Sequence, residues 1–148
     1  MNRRELLIGA GAVALAAAAH AAPGQDNKSK AAPHHHGDNP YAGIAAAAAE
    51  CLPKGEACLD HCIQLLSTGD TSLAACAAAV RDMLATCRAL TTLGGAGSKN
   101  AKAMARLASD VARDCEAECK KHQDMHAPCK ACGEACTRLL KEYAQLPA

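Results

Sequence analysis

The residues best suited to chemistry in this chain are concentrated in residues 115–136, which read CEAECKKHQDMHAPCKACGEAC. The segment contains two Cys-x-x-x-Cys pairs, Cys115/Cys119 and Cys132/Cys136, and a further thiol just ahead of the second pair. Residues four apart share one face of an α-helix, with Cβ atoms about 5–6 Å apart, whereas a disulfide requires about 3.8 Å. Two such thiols on one intact helix are therefore poorly placed to bond each other, but they can hold a soft metal ion between their sulfurs.

The donor atoms in this segment are soft. Thiolate is the form of cysteine that binds metals, and thiolate sets favour Cu(I), zinc or iron–sulfur centres. Zinc takes about four tetrahedral ligands, often from Cys-x-x-Cys turns, and the only such pair is Cys129/Cys132. The run 129–136 does not reproduce a familiar iron–sulfur pattern. Because Cu(I) accepts two thiolates and sulfurs can bridge neighbouring ions, the pattern favours Cu(I).

The composition indicates that helices position these thiols. Hydrophobic residues make up 50% of the 148 residues, yet the chain has no Phe or Trp and only two Tyr, so Ala, Leu and Cys must form the core. Ala and Leu are strong helix formers, and β-branched residues are few. Apolar periodicity and the positions of Gly and Pro predict four helices, at residues 41–66, 72–93, 98–122 and 128–143.

The first predicted helix contains an interruption. Pro53 has no N–H to donate and clashes with the preceding turn, and Gly55 follows it closely. We therefore expect a kink, or two shorter helices with a break at residues 52–55. Gly69 is expected to end this helix, and the three polar residues after it are expected to cap the next one.

Short links between these helices predict an all-α, antiparallel up-down-up-down four-helix bundle with a cysteine-lined core. The first helix ends, the second starts, the third ends and the fourth starts at one end of this bundle, which we call the thiol end. With a rise of 1.5 Å per residue, thiols fall in layers at roughly 3–8 and 12–14 Å from this end, with an inner pair at roughly 22 Å. The first layer contains Cys62, Cys76, Cys119 and Cys129/Cys132, the second contains Cys58, Cys115 and Cys136, and the inner pair is Cys51 and Cys87. The far half is expected to be an aliphatic core that includes Met104, either Leu107 or Ala108, and Leu139/Leu140.

Imidazole and thioether groups lie near the thiol end in this arrangement. His122 and His126 are predicted to be outer metal ligands, and His61 and Met125 are weaker candidates. Each of the four is also compatible with a solvated residue at a helix end. Met83 falls between the thiol layers, where core packing is favoured over metal binding.

The N-terminus has the features of a signal peptide. Arg3-Arg4 precede an apolar run at residues 6–19 and a small-x-small cleavage site that ends at Ala21. We predict that residues 1–21 are removed on export to the periplasm, and the paired arginines favour the twin-arginine route. An ordinary secretory signal is the alternative. The run is too short and Ala-rich for a good membrane span, so no membrane association is expected after cleavage.

Residues 22–40 are predicted to be a disordered linker, and residues 41–148 the bundle. The linker contains His34-His35-His36, which can bind a divalent metal loosely or remain a solvated tract. The formal net charge of the whole chain is only +1, and aromatic residues are nearly absent. Charge and composition therefore argue against nucleic-acid binding.

Four segments resemble the copper storage proteins of the exported type, which are cysteine-lined four-helix bundles that load many Cu(I) ions. The segments are Gly55–Cys62 (GEACLDHC), Gly69–Cys76 (GDTSLAAC), Asp114–His122 (DCEAECKKH) and Cys129–Cys136 (CKACGEAC). The resemblance covers most of residues 43–143. It implies a homo-oligomer, a tetramer in the family, and a copper-requiring client protein. It also implies that all ten cysteines bind Cu(I), namely Cys51, Cys58, Cys62, Cys76, Cys87, Cys115, Cys119, Cys129, Cys132 and Cys136.

The chain departs from the richest members of this family in having fewer cysteines. Val80, Val111 and Leu139/Leu140 take core positions where further thiols can sit. We therefore expect a smaller Cu(I) capacity, concentrated at the thiol end.

Three functions are compatible with these residues. The first, which we favour, is a non-catalytic store or buffer of multiple Cu(I) ions. The second is an exported helical bundle held by interhelical disulfides, since ten cysteines in an exported protein usually form disulfides. The third is a thiol oxidoreductase or transferase. It is the least favoured, because Cys129/Cys132 has no βαβ context and no Ser/His/Asp or paired-carboxylate constellation is present.

Overall fold

The computed structural model describes residues 39–147, which form an all-α four-helix bundle as predicted. Each helix packs against its chain neighbours, and the last packs against the first. Since the connections at residues 68–73, 96–100 and 121–126 are short, neighbouring helices are antiparallel. The helices are α1 (Ala42–Ser67), α2 (Ala74–Gly95), α3 (Ala101–Lys120) and α4 (Ala127–Ala144).

The N-terminal predictions fall outside the described residues. These are the signal peptide at residues 1–21, most of the linker at 22–40, and the histidine tract His34-His35-His36, so they stay predictions. None of the helices between residues 39 and 147 has an apolar stretch long enough to cross a membrane.

Of the two outcomes predicted for the first helix, the break is wrong, because α1 is continuous through Pro53, and the kink stays a prediction. Pro53 is exposed, whereas Gly55 is buried against α2. A Cβ atom at Gly55 would lie 2.6 Å from Met83 Cε and 2.8 Å from Leu84 Cδ2. The absent side chain therefore lets α1 and α2 approach closely. This packing supports the helix on both sides of the proline, so the local preference for a break does not decide the structure.

The inward face of α3 differs from the predicted face. Leu107 is 49% exposed and Met104 is only partly buried, whereas Ala105, Ala108 and Ala112 are fully buried. These alanines continue the stripe of Cys115 and Cys119 at alternating spacings of three and four, which keeps one seam toward the bundle axis. The far half of α3 therefore contributes alanines to the core in place of the expected larger side chains.

The turn between α1 and α2 begins at Gly69 as expected, but the N-cap of α2 is not one of the three predicted polar residues. Gly69 has a φ of 88°, a left-handed conformation that favours glycine, and it follows the end of α1. Asp70 Oδ1 accepts a hydrogen bond from the backbone N–H of Ser72 at 2.9 Å, which closes the turn before α2. The N-cap of α2 is Leu73, which makes no side-chain cap and is fully buried. Burial of Leu73, and not a polar cap, anchors the start of α2.

Candidate metal centre

All ten cysteines lie inside the bundle, are free thiols and have 0% of their surface exposed. Every helix contributes at least two of them. The thiols are Cys51, Cys58 and Cys62 on α1, Cys76 and Cys87 on α2, Cys115 and Cys119 on α3, and Cys129, Cys132 and Cys136 on α4. Together they form a continuous set along the bundle, which we call the sulfur column.

The largest group in the column lies at the thiol end. Cys58, Cys62, Cys76 and Cys129 have sulfurs that all lie within 4.8 Å of one another. The thiol of Cys58 donates a hydrogen bond to Cys129 Sγ at 3.7 Å. The group joins α1, α2 and α4, so three helices must be in register before it exists.

Two further groups continue the column inward. One consists of Cys58, Cys119 and Cys132, and the other of Cys115, Cys132 and Cys136, again with sulfurs within 4.8 Å. Cys115 Sγ and Cys132 Sγ are 3.9 Å apart. Because Cys58 and Cys132 each belong to two groups, an ion bound in one group shares a ligand with the next.

This sharing changes the predicted layers. Cys58 was expected in the second layer but lies with Cys62 and Cys76 of the first layer. Conversely, Cys132 was expected in the first layer but lies with Cys115 of the second layer. Positions one turn apart differ by only about 5.4 Å along the axis, which two side chains can span. The thiols are therefore one interlocked column and not separate layers.

The inner pair lies beyond these groups. Cys51 has Cys136 and Cys87 as the neighbouring thiols that shift its pKa. The thiol of Cys87 donates to the thioether sulfur of Met83 at 3.6 Å. Met83 is fully buried, so a neutral sulfur borders the column at this depth.

Contacts between the thiols divide them into acidic and weakly acidic groups. Hydrogen bonds from Cys115 and three other thiols hold the pKa of Cys132 far below its usual range. Hydrogen bonds from Cys136 and Cys87 lower the pKa of Cys51 to about 4. Conversely, the hydrogen bond to Cys51, together with burial, raises the pKa of Cys87. Neighbouring thiols, in place of water, thus favour the ionised form of Cys51 and Cys132.

Most remaining thiols keep their protons. Hydrogen bonding to Cys119 raises the pKa of Cys58 and of Cys76. Burial raises the pKa of Cys62 to about 12 and of Cys129 to about 11. A metal ion that binds these sulfurs must displace protons, so metal binding is expected to weaken as the pH falls.

The same shifts predict that the metal-free protein loses stability at alkaline pH. A raised pKa means that the folded state holds its proton more tightly. The contribution of these two thiols to the free energy of unfolding is therefore fully present below the ordinary thiol pKa of about 8.5. It is lost as the pH rises toward about 11 for Cys129 and about 12 for Cys62. We expect the melting temperature of the reduced, metal-free protein, followed by circular dichroism, to fall across this range. The melting temperature of Cys62→Ala should fall less over the same pH range. A wild-type melting temperature that does not change with pH in this range would contradict the prediction.

The outer histidines lie near one another at the thiol end, and their role as metal ligands stays a prediction. His61 Nε2 and His126 Nδ1 are 2.9 Å apart, within hydrogen-bond distance. The ring of His122 lies 6.4 Å from that of His126, and Met125 is 76% exposed. His61, the weaker candidate, therefore forms the pair with His126. Its position one residue before Cys62 was the available signal, because Cys62 and His126 were both expected at the thiol end.

A cavity at the opposite end of the bundle has no part in this chemistry. It has a volume of about 580 Å³ and is lined by Tyr41, Tyr143, Lys102 and Arg106, among others. It contains no thiol, imidazole or carboxylate side chain, so it offers no ligand for a soft metal.

Comparison with known proteins agrees with the geometry. A family model described as copper storage protein matches residues 38–147. No curated protein matches the chain.

Proposed function

Because the chain belongs to the copper storage protein family, we propose that it is an exported, non-catalytic store that holds several Cu(I) ions on its cysteine thiolates. The observation that carries this proposal is the sulfur column, in which ten free, buried thiols come from four helices and eight of them form three groups with sulfurs within 4.8 Å. Isolated structural cysteines would not form three groups that share members.

The geometry of the groups suits Cu(I). This ion accepts two or three thiolates, and a thiolate can bridge two ions. Two of the three groups contain three sulfurs, and Cys58 and Cys132 are the shared members that can bridge. The side chains around the sulfurs are mostly small and apolar. Such an interior favours a soft ion with low charge over a strongly hydrated ion.

The burial of the thiols favours storage over catalysis. All ten have no exposed surface, so a molecular substrate cannot touch a sulfur without opening the bundle, whereas a single ion needs far less space. Among residues 39–147 the one hydrogen bond of a histidine ring joins His61 to His126, so no thiol is hydrogen-bonded to an imidazole that could act as its base. We therefore assign the column to ion binding and not to thiol transfer.

The decisive test is an anaerobic Cu(I) titration of the reduced mature protein against a chromophoric chelator, with a thiol count on the same unfolded sample. We expect several Cu(I) per chain to be withdrawn from the chelator and nearly all ten thiols to titrate. Fixed disulfides with uptake of one ion or none would overturn the proposal. The disulfide alternative would then hold, and pairs from different helices such as Cys76 and Cys119, whose sulfurs are 3.8 Å apart, would be its first candidates.

The proposed compartment and assembly rest on the sequence and the family. We propose that residues 1–21 are removed on export to the periplasm and that the bundle forms a homo-oligomer that supplies a copper-requiring client. N-terminal sequencing of the protein from a periplasmic fraction tests the first point, and sedimentation of the purified protein tests the second. An uncleaved N-terminus would contradict export by this route.

The histidine pair is expected to control loading and not capacity. His61 and His126 are half-buried beside the thiol end, and imidazole can pass a copper ion to deeper thiolates. We expect the double change His61→Ala/His126→Ala to slow anaerobic Cu(I) uptake severalfold, measured by stopped-flow absorbance of thiolate-to-copper bands, and to leave the final number of ions unchanged. His122→Ala tests the third imidazole, whose ring lies 6.4 Å from that of His126, and we expect it to slow uptake less than the double change. Unchanged kinetics in the double variant would contradict this role.

A further inference from the structure

One group of thiols brings four sulfurs together, although Cu(I) needs only two or three. Among residues 39–147, only Cys58, Cys62, Cys76 and Cys129 bring four sulfurs within 4.8 Å of one another. Zinc binds four thiolates tetrahedrally at about 2.3 Å, which places the sulfurs about 3.8 Å apart. Cys58 Sγ and Cys129 Sγ are already 3.7 Å apart, so the edge of such a tetrahedron exists before any ion binds.

The helices around this group favour negative charge on it. Cys76 is the third residue of α2 and Cys129 is the third residue of α4. Both therefore lie in the first turn, where the helix dipole and free backbone N–H groups stabilise a thiolate. Neither helix has a side-chain cap that would occupy those N–H groups. Two helix N-termini thus converge on a site that would carry four thiolates.

The group is also closed. Its four sulfurs have no exposed surface, so no position is left open for water or a substrate. A closed set of four thiolates is the ligand set of structural zinc sites. Binding would link α1, α2 and α4 through one ion, at the end of the bundle where the histidine pair lies.

We infer that the copper-free protein binds one Zn²⁺ ion tetrahedrally through Cys58, Cys62, Cys76 and Cys129. The four thiols release their protons as the four Zn–S bonds form, and no electron is transferred. The ion shields these thiols from oxidation and holds three helices together until Cu(I), which binds thiolate more tightly, displaces it. The inference uses thiols of the proposed store but does not depend on copper being the cargo.

Cobalt is the probe that tests this site, because tetrahedral Co²⁺–thiolate sites have intense charge-transfer and visible d–d absorption that Zn²⁺ lacks. The reduced, metal-free mature protein is titrated anaerobically with Co²⁺ and then with Zn²⁺. We expect tetrahedral bands that saturate at one Co²⁺ per chain and are bleached by one Zn²⁺. Cys62→Ala should weaken Zn²⁺ binding by at least about a hundredfold, since it removes a ligand outright.

Cys87→Ala is the matched control, because it removes an equally buried thiol that lies outside the group. It should retain the bands, and the helical circular dichroism of both variants shows whether they fold. Absence of tetrahedral bands, or bands that survive Cys62→Ala in a folded protein, would overturn the inference. A Cu(I) titration of the same samples separates this result from the storage function, since zinc binding can fail while copper loading succeeds, and the reverse.

Discussion

Removing Cys58 and Cys132 together is expected to lower the Cu(I) capacity by more than their share of the thiols. The double change Cys58→Ala/Cys132→Ala deletes two of ten thiols, or one fifth. Each of these cysteines, however, belongs to two groups. Their loss leaves the middle group with Cys119 alone and the inner group with Cys115 and Cys136. Since Cu(I) needs at least two thiolates, the middle group can no longer bind an ion, and we expect capacity to fall by at least about one third.

The matched control is Cys62→Ala/Cys115→Ala, which removes the same atoms from positions that belong to one group each. All four residues are fully buried, so the two double variants should lose similar packing energy and unfold at similar temperatures without metal. The control should lose about one fifth of its capacity, in proportion to its thiols. Equal losses in an anaerobic chelator competition would show that the sulfurs act independently and that the column has no bridging members.

Filling the column with Cu(I) is expected to raise the melting temperature by tens of degrees. The metal-free core is formed largely by Ala and Cys, which remove little apolar surface from water. An ion that binds only the folded state stabilises it by about 4 kcal/mol when its free concentration is a thousand times the dissociation constant. Each kcal/mol shifts the melting temperature of a domain of this size by about 4 °C or more, so several ions should add at least about 20 °C.

Far-UV circular dichroism under anaerobic conditions measures this shift on metal-free and loaded samples of one preparation. The variant Cys58→Ala/Cys132→Ala should gain clearly less, because its column holds fewer ions. A shift of only a few degrees in the wild-type protein would place the bound copper on half-buried groups outside the core such as His61 and His126, and not on the buried sulfurs.

Much of the fold was predictable because its signals are local or periodic. Gly69 ends the first helix and Pro128 lies in the first turn of α4, as expected from their backbone preferences. The continuity of α1 through Pro53 was not predictable in this way. It depends on the close approach of α2 at Gly55, a contact between residues that are distant in sequence.

The site was predictable in outline and not in detail. The spacing of Cys115/Cys119 and Cys132/Cys136 correctly indicated thiols on one face of each helix, because helical periodicity sets that face. It did not indicate that Cys132 joins two groups, since this depends on how α4 is rotated and staggered against α1 and α3.

The sequence by itself therefore determined four helices, the inward direction of the cysteines and the family. Composition, helical periodicity and segment similarity suffice for these. Only the tertiary structure decided which sulfurs meet, that His61 and not His122 pairs with His126, and that alanines of α3 replace Met104 and Leu107 in the core. The physical reason is scale, because a metal site depends on differences of about 1 Å between side chains of separate helices. Rotation, stagger and close packing of those helices set these differences, and spacing along the chain does not specify them.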